Sequence, residues 1–113
     1  MADITITPQA CSIAGITPSD VAVSDAGDDF YMSNNGKTLL HVKNGSGSSI
    51  NVTITGVNSC DQGFTHDETV AVADGAEKII APFIMSRFNN TDGNILINFS
   101  ASTSVTYAAY KLA

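Results

Sequence analysis

Tryptophan is absent, and lysine and arginine together number only 5 in a chain of 113 residues. So few cations cannot lay a positive surface along a phosphate backbone, and the net charge of −6 adds repulsion, which sets nucleic acid aside as a partner. The same acidity disfavours an anionic membrane surface. Long apolar runs are missing too. The longest, residues 79–85, is interrupted by Pro82 and falls far short of the ~20 residues that a membrane helix needs. The opening Met-Ala-Asp-Ile has neither the basic nor the apolar region of a signal peptide, so a product made in the cytoplasm is expected. Only two cysteines are present, Cys11 and Cys60. Without a secretion signal free thiols are the expectation, and a disulfide between the two stays open.

Charged residues make up 14 per cent of the chain, low against a typical quarter, while 43 per cent is hydrophobic. The length suits one domain, and the apolar content suits a packed core. Serine, threonine and asparagine supply the polar surface in place of charge. They favour strands and turns over exposed helices.

What is present is alternation. Ile50, Val52 and Ile54 alternate with Asn51, Thr53 and Thr55, and Ile95, Ile97 and Phe99 alternate with Asn94, Leu96 and Asn98. Successive side chains of a strand point to opposite faces, so each segment has one apolar and one wet face. Leu40 and Val42 against His41 and Lys43 repeat the pattern more loosely. The Gly/Ser/Asn run between residues 43 and 50 predicts that these two segments form a β-hairpin. Shorter alternating segments occur at residues 3–7, 68–73, 77–81 and 104–112, with Phe30 to Met32 and Val21 to Val23 added. Residues 9–20 have no clean period and read as loop. The sum is about eight strands punctuated by turns, with no convincing helix, which predicts an all-β fold: an antiparallel β-sandwich, jelly-roll-like, in a single domain spanning residues 1–113. Residues 1–8 are either an extended N-terminal arm or an edge strand.

Candidate sites are few. His41 shares no motif with a Ser or Cys nucleophile and reads as a surface or hydrogen-bonded strand histidine. Asp61, His66, Asp67 and Glu68 could hold a cation, as could Asp25, Asp28 and Asp29. Neither spacing fits an EF-hand or zinc pattern, so both read as solvated acidic loops. No cofactor, no metal and no catalytic activity are expected. Phe83, Ile84, Met85, Arg87 and Phe88 combine the residue types enriched in interface cores. Against this, Phe83 and Phe88 could simply plug the end of the sandwich. Asp3, Ile4, Thr5 and Ile6 form a lone strand whose unpaired backbone would add to an exposed sheet edge, either a partner's or its own.

The run Gly-Lys-Thr-Leu-Leu-His-Val-Lys-Asn-Gly at residues 36–45, with the Ser/Thr-rich strand after it, resembles small proteins encoded beside tailed-phage capsid genes. Glu77-Lys78-Ile79-Ile80-Ala81-Pro82-Phe83, then Arg87-Phe88-Asn89 and Asp92-Gly93-Asn94, is similar to a run those proteins carry before their last strands. The closing Ser104 to Ala109 strand is a third likeness. The resemblance covers the chain from Asn34 onward and departs before it. It implies a phage head decoration (cement) protein: a β-sandwich homotrimer, with no enzymatic role, bound to the major capsid protein on the outside of the head. A carbohydrate- or receptor-binding module of a phage tail or fibre is the alternative. The absence of tryptophan and the count of 3 tyrosines weigh against it, because sugar faces stack on exposed rings.

Overall fold

The computed structural model describes residues 2–57, 63 and 66–112. The chain runs β1 (Asp3–Ile6), β2 (Gln9–Ala10), β3 (Val21–Ala22), β4 (Asp29–Ser33), β5 (Thr38–Asn44), β6 (Ile50–Ile54), β7 (Glu68–Val72), β8 (Glu77–Ile80), α1 (Met85–Phe88), β9 (Asn94–Phe99) and β10 (Val105–Lys111). The first sheet has the order β1-β4-β9-β6-β7, and the second has the order β2-β10-β5-β8 with β3 also on β10. The two sheets pack into the expected all-β sandwich. Ile50, Val52, Ile54, Ile95, Ile97 and Phe99 are all buried in one core, as their alternation predicts. Phe30, Phe99 and Tyr107 meet at its centre with ring centroids 5.1 to 5.8 Å apart, joining the two sheets through edge-on and stacked contacts.

Several expectations need correction. The sheets are mixed and not purely antiparallel, because β1 runs parallel to β4 and β2 runs parallel to β10. Both parallel pairs come from one extended N-terminal stretch that leaves the first sheet at Ile6 and joins the second at Gln9, across Pro8. Residues 9–20 therefore contain a short strand where a loop is expected, and the described strands number ten, not about eight. A single helical turn, α1, appears where none is expected.

The largest correction concerns residues 36–56. β5 and β6 do not pair as a hairpin but lie in opposite sheets. An alternating pattern says which side of a strand meets the core. It does not say whether the next strand lies beside it or across the core from it. Most connections here cross: β4 to β5, β5 to β6, β7 to β8 and β9 to β10 all change sheet.

Crossing connections carry polar backbone over the ends of an apolar core, where each group needs a partner. Two buried asparagines provide them. The Asn44 side-chain amide donates to the carbonyls of Ser48 (2.7 Å) and Val72 (2.9 Å), and its Oδ1 accepts from the Ser46 N–H (3.0 Å). Its backbone exchanges hydrogen bonds with Ala76 and Gly75. One residue thus ties the β5–β6 crossing to the β7–β8 crossing. At the other end, Asn34 donates to the Phe83 carbonyl (3.0 Å) and the Asn89 Oδ1 (2.7 Å), and accepts from the Gly36 N–H (3.0 Å) and the Thr38 hydroxyl (2.6 Å). No buried side-chain nitrogen or oxygen among the described residues lacks a partner.

Asn44→Ala strands the Val72 carbonyl and the Ser46 N–H, and is expected to cost about 2–3 kcal/mol in a denaturant titration followed by circular dichroism. Val52→Asp, which places an unpaired charge in the core, is expected to leave no folded population; a well-folded variant would overturn the register.

Candidate functional site

The N-terminal strand belongs to this domain's own sheet. Ile4 and Ile6 stand beside Phe30 and Met32 of β4 and face the core, Ile6 being buried and Ile4 partly so. Asp3 and Thr5 face outward. The Ala2 N–H donates to the Asp28 carboxylate (2.8 Å), and the Asp29 N–H donates to the Ala2 carbonyl (2.9 Å), which fastens the start of the strand. Of the two readings of residues 1–8, the structure takes the edge strand. Deleting residues 2–7 removes these bonds and Ile6 from the core, and is expected to lower the melting temperature by well over 10 °C or abolish folding, roughly what a loss of several kcal/mol does in a domain this size.

The Ser24 hydroxyl (2.7 Å) and the Ala2 N–H hold the Asp28 carboxyl below the usual aspartate range. A depressed folded value adds stability that is full above the unfolded pKa and is lost as pH falls through the folded one. Acid unfolding monitored between pH 5 and 2 should therefore be shallower in Asp28→Asn than in the parent, on the ordinary aspartate scale.

The interface candidates at residues 83–88 divide. Phe83 and Phe88 are 2 and 5 per cent exposed and join the core, which is the plug reading. Arg87 is turned toward its own chain: its guanidinium donates to the His66 carbonyl (3.2 and 3.1 Å), lies 3.6 Å from the Glu68 carboxylate and sits over the Phe88 ring. Ile84 and Met85 remain outside, 53 and 47 per cent exposed. The Asn34–Asn89 latch fixes this segment. Asn89 returns its own amide to the Asn34 carbonyl (2.9 Å), so the chain on both sides of α1 is pinned to the β4–β5 crossing just after β4. The Met85 side chain lies against Gly36, whose φ of 84° suits glycine; a Cβ there would come 3.2 Å from the Met85 sulfur.

Ile79, on β8, is missing from the sequence-based interface residues and is 64 per cent exposed. It stands opposite His41 on the outer face of the second sheet. Local sequence gives little sign of it, because β8 is an edge strand with three exposed residues and only Ile80 partly buried, so its two faces are poorly separated. Leu112 is also exposed, and its N–H donates to the Lys37 carbonyl (2.8 Å) beside Gly36. Met85 and Leu112 thus lie at the end of the second sheet where β5 begins, Ile84 precedes Met85, and Ile79 lies on β8, an edge strand of that sheet. Lys78 faces Val42 on the core side of β8, and Glu68 faces Ile54 on β7. Both residues stay exposed, and a charge on an edge strand discourages strand addition, so contact at β8 would be made by side chains.

His41 bonds to Glu77 across the outer face (Nε2 to Oε1, 2.8 Å), the strand-histidine reading. The carboxylates of Asp25 and Asp29 are engaged with Gly27 N–H and the Asn98 amide, as Asp28 is with its own partners. Asp67 accepts from the Gly56 N–H (2.9 Å), where a side chain on Gly56 would strike the His66 backbone. Among the described residues no three His, Cys, Asp or Glu side chains gather as metal ligands. Cys11 is a free, half-buried thiol. Cys60 and Asp61, named above for a disulfide and a cation site, lie outside the described residues. No family model, no curated protein and no solved structure matches this chain.

Proposed function

We propose that the chain is a virion structural protein that binds the outer surface of a tailed-phage head and stabilises the capsid lattice. The reading rests on the resemblance of residues 34 onward to head decoration proteins. The observation that supports it best is the difference between the two outer sides of the sandwich. The outer face of the first sheet shows Thr5, Asn51, Thr53, Thr69 and Asn94 around the half-buried Tyr31 and Leu96, while that of the second shows the exposed Ile79 among His41, Lys43 and Glu77, with Ile84, Met85 and Leu112 exposed beyond its strands. Exposed apolar side chains set among polar ones suit a protein partner, and a hydroxyl- and amide-rich side suits water.

The partner in this reading is the major capsid protein, with a second contact to copies of the chain itself in a homotrimer. Cyclic symmetry matches a trimer to three-fold positions of an icosahedral lattice. Several modest contacts made at once sum to a tight grip, and binding only the assembled lattice stabilises it by linkage. No chemistry is required of the protein. A tail or fibre module that binds carbohydrate is a second reading, and one polar depression on the first sheet favours it.

The test uses tailed-phage heads assembled from the major capsid protein encoded in the same genome, prepared without this protein; a genome that encodes no such capsid protein contradicts the proposal outright. Added protein should bind them in co-sedimentation and raise their resistance to heat. Ile79→Asp combined with Met85→Asp should weaken binding at least tenfold, or about 1.4 kcal/mol, with the melting temperature unchanged. Failure of the parent protein to bind, or undiminished binding by the variant, contradicts the proposal.

A further inference from the structure

The outer face of the first sheet holds a depression of about 430 Å³, lined by Asp3, Thr5, Tyr31, Asn90, Asp92 and Asn94. We propose that this depression binds a neutral saccharide, with Tyr31 as its stacking surface and Asp3, Asp92 and Asn94 as its hydrogen-bonding groups.

The strand register builds it. Thr5 on β1 stands beside Tyr31 on β4, and Tyr31 stands opposite Leu96 on β9, so the Tyr31 ring lies on the outward face, half-exposed. Asn94 begins β9 one alternation further on, opposite Ser33. The turn before β9 closes that end. The Asn90 Oδ1 accepts from the N–H groups of Asp92 (2.9 Å) and Asn94 (3.1 Å), and the Asn90 N–H donates to the Asn94 carbonyl (2.8 Å). Asn90 is therefore committed to shaping the turn. Asp3, Thr5, Tyr31, Asp92 and Asn94 are different: none of their side chains makes a hydrogen bond or ion pair with the described residues. Five free polar side chains thus converge on one concavity at the edge of a rigid sheet.

Their chemistry selects the ligand class. No lysine or arginine lines the site, so it offers nothing to a phosphate or a carboxylate. Among the described residues no third His, Cys, Asp or Glu joins the two carboxylates, so a cation would rely on the Asn94 amide and on water for the rest of its shell. An apolar ligand would strand most of the lining. A pyranose presents hydroxyls that both donate and accept, together with one C–H face. Carboxylates accept from hydroxyl pairs, an amide does both, and a tyrosine ring covers the C–H face. The two aspartates and the net charge of −6 repel anionic sugars, which restricts the class to neutral ones. The site lies on the opposite sheet from Ile79, so it does not depend on head binding.

The experiment titrates the free, isotope-labelled protein with methyl glycosides of glucose, galactose, mannose and N-acetylglucosamine, read by amide chemical shifts. At least one glycoside should bind in the millimolar range and shift the amides of Tyr31, Asp92 and Asn94. Tyr31→Ala and Asp92→Ala should each weaken that binding about tenfold, with the melting temperature unchanged. Silence toward all four glycosides overturns the proposal. So does equal binding by Tyr31→Ala, or shifts at these amides from calcium chloride alone, which would assign the site to a cation.

Discussion

Satisfying the backbone where it crosses the ends of the core is the constraint on which this structure depends. A sandwich whose successive strands alternate between sheets has many such crossings, and each brings carbonyl and N–H groups over apolar side chains. Asn34 and Asn44 serve both ends from within the core, each with three or more hydrogen bonds. An unpaired buried amide or carbonyl costs about 1–3 kcal/mol, so the arrangement is favourable only because it is complete. Asn34 reaches further. Through Asn89 and the Phe83 carbonyl it sets where residues 83–89 run, and so places Ile84 and Met85 outside while Phe83 and Phe88 fill the core.

That division produces a two-sided particle. One outer side is rich in hydroxyls, amides and carboxylates, and the other combines ion pairs with exposed apolar side chains. Edge protection fits the same design. Lys78 and Glu68 put exposed charges on β8 and β7, which discourages the edges from templating further strands while leaving Ile79 exposed for side-chain contact. The N-terminal stretch, parallel in both its pairings, covers an edge of each sheet in turn.

Alternation made the core legible in the sequence: Ile50, Val52, Ile54, Ile95, Ile97 and Phe99 lie where the period of two puts them. Pairing was not legible. The Asn-Gly-Ser-Gly run after β5 looks like a hairpin turn, yet it spans the two sheets, because Asn44 bonds across to Val72 and does not close a turn onto β6 alone. Gln9–Ala10 is not legible in the sequence because a two-residue strand has no period to read. In the candidate site, residue type drew attention to residues 83–88 but could not tell Phe83 from Met85; that depends on the Asn34–Asn89 latch, made by residues 55 apart. The depression at Tyr31 is assembled from β1, β4 and the turn before β9, and local sequence gives no sign of it.

The central claim is that the second sheet's apolar border meets the capsid while the first sheet's polar face meets solvent. A reconstruction of heads bearing the protein, resolved well enough to trace strands, tests it most directly. The account predicts three copies around a three-fold or quasi-three-fold position, with β8 and residues 79–85 against capsid or neighbouring subunits and Tyr31 facing outward. Single copies away from such positions, or copies seated on the Tyr31 face with Ile79 and Met85 in solvent, would contradict it.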